Sequence, residues 1–151
     1  MSELKDRLRS DLTDAIRGRD EVATATLRMA LAAITTEEVA GSDARELSDD
    51  EVLKVLARES KKRREAAEAF GSAGREELAE RERAEGRVLE RYLPTQLDDA
   101  AVSELVAAAI AETGASSPRE MGAVMKVVQP QVAGRADGAR VSAAVRAALQ
   151  G

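Results

Sequence analysis

Apolar residues along this 151-residue chain recur every three or four positions, and no stretch alternates them with period two. The clearest example is Met121, Val124, Met125, Val128 and Val132, which fall on one face of a helix. Arg119 and Lys126 lie seven residues apart on the opposite side, a separation of about 10 Å along a helix axis. A chain patterned this way throughout has few folds open to it. It is apolar mainly through Ala, Val and Leu, with one Phe, one Tyr and no Trp, a mixture that favours helix over sheet. The fold class expected is all-α.

Taken in order, Ser2 caps a first helix whose apolar face is Leu4, Leu8, Leu12, Ala15 and Ile16, and Gly18 stops it. Asp20 caps a second, with Ala23, Leu27, Ala30, Leu31 and Ile34 on one face, running to about Ala40. Ser48 and Glu51 form a capping box for a third, ending near Phe70. Gly71 to Gly74 turns into a fourth, ending near Leu93. A turn centred at residue 72 or 73 sets Leu56 against Leu89, Val52 against Leu93 and Arg63 against Glu82.

Pro94 disfavours helix at the residue before it, and the domain boundary is placed there. This gives a four-helix domain over 1–93 and a three-helix domain over 94–151. In the second, Asp98 caps a helix bearing Val102, Leu105, Val106, Ala109 and Ile110, and Gly114 ends it. Ser117, Pro118 and Glu120 open the next helix, in which Pro130 bends the last turn and which Gly134 ends. Asp137 caps the last, with Val141, Val145, Ala148 and Leu149 on its apolar face. Gly122 is read as a point of close helix crossing.

Several chemistries are excluded by residues the chain lacks. Without Cys or His there is no thiolate nucleophile, no Ser–His or Cys–His pair and no imidazole or sulfur metal ligand. No apolar run reaches the length of a membrane span, so a cytoplasmic protein with no membrane partner is expected. No cofactor is expected either. The single Phe and Tyr leave little for base stacking, which argues against recognition of single-stranded RNA.

Two clusters remain as candidate sites. Glu59, Arg63, Glu82 and Glu85 fall on the apolar stripes of the third and fourth helices. Paired carboxylates there suggest a metal nest or an acid–base pair. The plainer reading is a structural ion-pair cluster that fixes helix register, and it is preferred because a dinuclear bundle site normally adds Glu-x-x-His. The second cluster is Arg119, Lys126, Arg135, Arg140 and Arg146, a candidate phosphate-contacting set. Residues 115–151 carry five basic and two acidic groups, while the whole chain has a net charge of −5. A solvated polar face is the plainer alternative here. The denser run Lys61-Lys62-Arg63-Arg64 is offset by Glu65 and Glu68 at ion-pair spacing. Gly134 to Gly138 lacks the spacing and preceding strand of a nucleotide-binding loop and is read as a helix corner.

The segments YLPTQL at 92–97, ETGASS at 112–117, MGAVMK at 121–126 and GRADG at 134–138 resemble the GatB/YqeY domain family in order and spacing. Upstream, LRM at 27–29 and RAEGRVLERYLP extend the resemblance over nearly the whole chain. The family includes the C-terminal tail of the B subunit of the tRNA-dependent amidotransferase. The resemblance implies an accessory tRNA-binding protein associated with glutamine-dependent amidation of mischarged glutamyl- or aspartyl-tRNA. It carries a family-level kinship to carbon–nitrogen ligases with glutamine as amido donor, but no catalytic residues are expected in this chain alone. The alternative is a protein–protein adaptor docking on an aminoacyl-tRNA synthetase or an amidotransferase subunit. An enzyme built on the carboxylate cluster is the least favoured reading.

Overall fold

A computed structural model describes residues 2–94, 96–132 and 135–150. Among these residues there are seven α-helices, one 3-10 turn and no strand. The helices are α1 (Glu3–Arg17), α2 (Glu21–Glu38), α3 (Asp49–Ser72), α4 (Glu76–Glu90), α5 (Asp99–Thr113), α6 (Met121–Val132) and α7 (Gly138–Gln150). The 3-10 turn, Pro118–Glu120, leads directly into α6. Contacts divide the chain into two compact units, Met1–Leu93 and Pro94–Gly151.

In the first unit each helix start is secured by a side chain the sequence supplies, except at α4. The Ser2 hydroxyl accepts from Lys5 N–H, the Asp20 carboxylate from Ala23 N–H, and Ser48 and Glu51 complete a capping box. Arg75 at the start of α4 offers no such bond. Leu8, Leu27, Ile34, Leu47, Val52, Leu56 and Leu89 are fully enclosed between the four helices. Burying each such side chain stabilises the unit by about 1.5–3 kcal/mol before conformational entropy is charged against it.

Polar ties hold the ends of this bundle. The Ser2 hydroxyl donates to Asp49 at 2.5 Å and Leu4 N–H donates to the same carboxylate oxygen, fastening the start of α1 to the start of α3. These bonds hold the Asp49 carboxyl below its usual range, the Ser2 hydroxyl foremost. Lys5 pairs with Glu38 at 2.7 Å, with both side chains largely buried. At the other end of the chain segment, Tyr92 donates to Asp11 at 2.5 Å, and the Arg7 guanidinium lies over its ring at 4.9 Å. Burial, and then the Asp11 carboxylate, push the Tyr92 hydroxyl above its ordinary range.

One local expectation is revised. Ile16 is half exposed, so the apolar face of α1 stops at Ala15. On α4, Leu78 is exposed and its neighbour Ala79 lies inside. Gly18 does end α1, but at φ −81°; the left-handed residue of that turn is Arg19, at φ 56°.

The second unit encloses a core in which seven residues are valines, Val102, Val106, Val124, Val128, Val132, Val141 and Val145. Valine has few rotamers to lose in a helix, so a valine core is ordered at small entropic cost. Asp98 caps α5 by accepting from Ala101 N–H, and Gly114 closes it in the left-handed conformation, φ 70°. Glu120 accepts from the N–H groups of Ser116 and Ser117 at 2.5 and 3.0 Å, Ser116 being the stronger influence holding its carboxyl below the usual range. Pro130 sits inside α6, two residues before Val132, the last described residue of that helix. The reading of Gly134 as the end of that helix lies outside the described residues. Asp137 accepts from Ala139 N–H at the start of α7. Ala148, expected on the apolar face of α7, is exposed.

Candidate functional site

The carboxylate cluster of the first unit is a chain of ion pairs. Arg63 lies 2.7 Å from Glu59 on its own helix and 3.6 Å from Glu85 on α4. Glu85 in turn meets Arg81 at 3.1 Å. The Arg63, Glu59 and Glu85 side chains are only 11–13% exposed. Each carboxylate faces a guanidinium, an arrangement that locks α3 to α4 and leaves no open coordination position. No group of three metal-competent side chains occurs among the described residues.

Glu82 does not belong to this chain of pairs, contrary to the expected Arg63–Glu82 contact. The physical reason is register. α3 continues through Gly71 to Ser72, and Gly74, at φ +74°, is the left-handed residue of the turn. The later turn slides α4 by three residues, so Arg63 meets Glu85, and a Cβ added at Gly86 would stand 3.8 Å from the Cβ of Arg63. Glu82 is instead half-buried beside a surface hollow of about 300 Å³ that also touches Ala67 and Gly86.

The basic set of the second unit divides in two. Arg140 is turned inward: its guanidinium donates to the Leu97 carbonyl and lies 3.2 Å from Asp99. Leu97 N–H also donates to the Arg135 carbonyl at 2.8 Å. The segment entering α5 is thereby stitched to the corner before α7, and Arg140, a member of the candidate phosphate-contacting set, is engaged in that stitch. Arg135 is half-buried and has interactions of its own.

Arg119, Lys126 and Arg146 are different. All three are exposed, and none has an ion pair or side-chain hydrogen bond. Arg119 and Lys126 share the outer face of α6 and the turn before it with Gly122, Ala123, Gln129 and Pro130, all exposed. Lys126 is turned about 200° from the buried Val124, almost opposite the core. Nothing lies within 4 Å of a Cβ added at Gly122, so this glycine does not mark a helix crossing. The result is a flat, small-residue face with a cation near each end of its first two turns. The sequence carries this pattern in the spacing of Arg119, Gly122 and Lys126, but a mid-helix glycine alone does not tell an open face from a helix crossing. Arg146 follows the buried Val145 by about 100° and flanks the core stripe of α7.

Such a face can accept an anion-bearing backbone at close range. Two free cations about 10 Å apart give electrostatic contact without base recognition, and a helix surface without bulky side chains allows near approach. The unit as a whole has five basic and six acidic residues, so any attraction is local to this face.

The chain is similar to three fungal proteins. It is 34% identical to an uncharacterised protein of Schizosaccharomyces pombe over 88 residues, covering 58% of this chain and 69% of that protein. It is 34% identical over 134 residues to altered inheritance of mitochondria protein 41, mitochondrial, of Pyrenophora tritici-repentis, covering 86% of this chain and 71% of the relative. The protein of the same name from Meyerozyma guilliermondii is 34% identical over 86 residues, covering 57% and 44% of the two chains. None of the described helices is long and apolar enough to cross a membrane. With residues 5–149 matched by the family described as Yqey-like protein, the chain belongs to that family.

Proposed function

We propose that this chain is an accessory tRNA-binding protein that holds the phosphate backbone against the outer face of α6. The observation that carries the reading is the pair of unpartnered cations, Arg119 and Lys126, flanking exposed Gly122 and Ala123. Arg146 supplies a further contact. The choice of tRNA over other polyanions rests on the resemblance to the amidotransferase B-subunit tail. In this reading the chain performs no amide transfer itself and works beside the cytoplasmic enzymes that do, its link to carbon–nitrogen ligases being one of kinship.

The test is a titration with unfractionated tRNA at two salt concentrations. Arg119→Ala, Lys126→Ala and Arg146→Ala are each expected to weaken binding and to lower the salt slope by about one unit, because each contact releases roughly one counterion. Lys54→Ala, an exposed residue of α3, is the control and should change neither. Arg140→Ala should instead loosen the second unit, since it removes the tie to Leu97. If the wild type does not bind, or binds without salt dependence, the electrostatic account fails and docking on a synthetase or amidotransferase subunit replaces it.

A further inference from the structure

We propose that the corner between α1 and α2 is a docking surface for an acidic helical segment of a partner protein, with one apolar partner side chain seated against Ile16. Ile16 is 48% exposed although it continues the apolar stripe of α1. It lines a hollow of about 300 Å³ with Arg19, Glu21, Thr24, Ala25 and Arg28. The short side chains of Thr24 and Ala25 leave room on α2 that nothing within this unit fills.

The charges around the hollow supply the second argument. Arg7, Arg9, Arg45, Arg58, Arg63, Arg81, Arg83 and Arg87 all have carboxylate partners. Arg17, Arg19, Arg28, Arg64, Arg75 and Arg91 have none, in a unit with 22 acidic and 18 basic groups, and two of these six, Arg19 and Arg28, line the hollow. Carboxylates are plentiful in this unit, yet none pairs with the two arginines of the lining. Glu21 is the carboxylate of the lining, so the rim remains net positive. Arg19 moreover occupies a left-handed backbone position while the adjacent Gly18 does not. Glycine would take that position without strain, and here it carries a cationic side chain instead.

The apolar floor decides between kinds of partner. A phosphate backbone gains nothing from Ile16 and Ala25, whereas a Leu or Phe flanked by Asp and Glu satisfies both the floor and the rim. The corner belongs to the first unit and the outer face of α6 to the second, and the proposal does not depend on tRNA binding.

The experiment selects random 16-residue peptides on the whole chain, with an Ile16→Asp/Arg28→Glu variant as counter-selection. Clones that need the corner are expected to be rich in Asp and Glu with one bulky apolar residue. Their binding should weaken tenfold or more with Arg19→Glu, with Arg28→Glu and with Ile16→Asp separately, while melting curves stay unchanged, since all three side chains are exposed. Absence of corner-dependent clones, or clones that are basic, would overturn the proposal. So would a short RNA duplex whose binding is lost in Arg28→Glu, which would make the corner a phosphate site. Self-association abolished by Ile16→Asp would likewise overturn it, assigning the face to a second copy of the chain.

Discussion

Arg63 is held between two carboxylates, one from its own helix and one from α4, with all three side chains close to nine-tenths buried. Removing it leaves Glu59 and Glu85 desolvated without their shared cation. Arg63→Ala should therefore cost about 3 kcal/mol, the low end for a broken buried pair because some exposure remains and Lys62 and Arg81 still face the two carboxylates. Glu82→Ala, three residues before Glu85 and unpaired, should shift the urea midpoint little. Equal effects of the two would mean the ion-pair chain is solvated. The type of cluster was visible in the sequence, since charges stood where apolar residues were expected. Its membership was not, because the identity of the facing residue depends on where α3 ends, and Gly71 and Gly74 offered two turn positions. A second residue-scale outcome concerns acid. The hydrogen bond from Lys5 first, and then Leu47 N–H, hold the Glu38 carboxyl below its usual range, and Ser2 does the same for Asp49. A depressed carboxyl stabilises the fold above the unfolded pKa, near 4, and loses that contribution as pH falls through the lower folded value. The urea midpoint should hold from pH 7 to about 5 and fall below about 4. Glu38→Gln should lower the midpoint at pH 7 and flatten the acid limb; an unchanged acid limb would show that Glu38 takes no part.

Helix starts were the most legible elements, because Ser2, Asp20, Ser48, Asp98 and Asp137 each place an oxygen where free backbone N–H groups need one. Helix ends were harder to read. Gly18 and Gly71 both read as stops, yet α3 runs through Gly71 and the left-handed residue after α1 is Arg19. Glycine lowers the cost of ending a helix but does not oblige it to end. Gly122 shows the same ambiguity in mid-helix, where it costs about 1 kcal/mol relative to alanine and no neighbour requires it. Gly122→Ala should accordingly stabilise the second unit by about 0.5–1 kcal/mol. On the proposed function it should also weaken tRNA binding, because the added methyl stands on the face the backbone approaches. Thermal melting and tRNA titration of the same variant measure the two effects. Stabilisation with unchanged tRNA binding would remove close approach from the account of the α6 face.

At the scale of the whole molecule, two cores with different chemistry share one chain. The first is built on Leu, Ile and Val among four helices, the second largely on valine in a unit of 58 residues. A unit that small buries a smaller fraction of its surface and is correspondingly marginal, so the second core should be the first to open. Hydrogen exchange of the intact chain should show weaker protection in α5, α6 and α7 than in α3 and α4. Val128 is fully buried at the centre of the second core, and Val128→Ala removes two methyl groups from it. The loss should be about 2 kcal/mol from transfer and cavity together. Exchange should then accelerate throughout residues 96–150, by roughly thirtyfold where opening of the unit governs it, since each 1.4 kcal/mol is a factor of ten. Protection of Leu27, Leu56 and Leu89 in the first core should not move. If Val128→Ala instead lowers protection equally in both units, the chain opens as one cooperative body and the separate cores do not act as separate folding units.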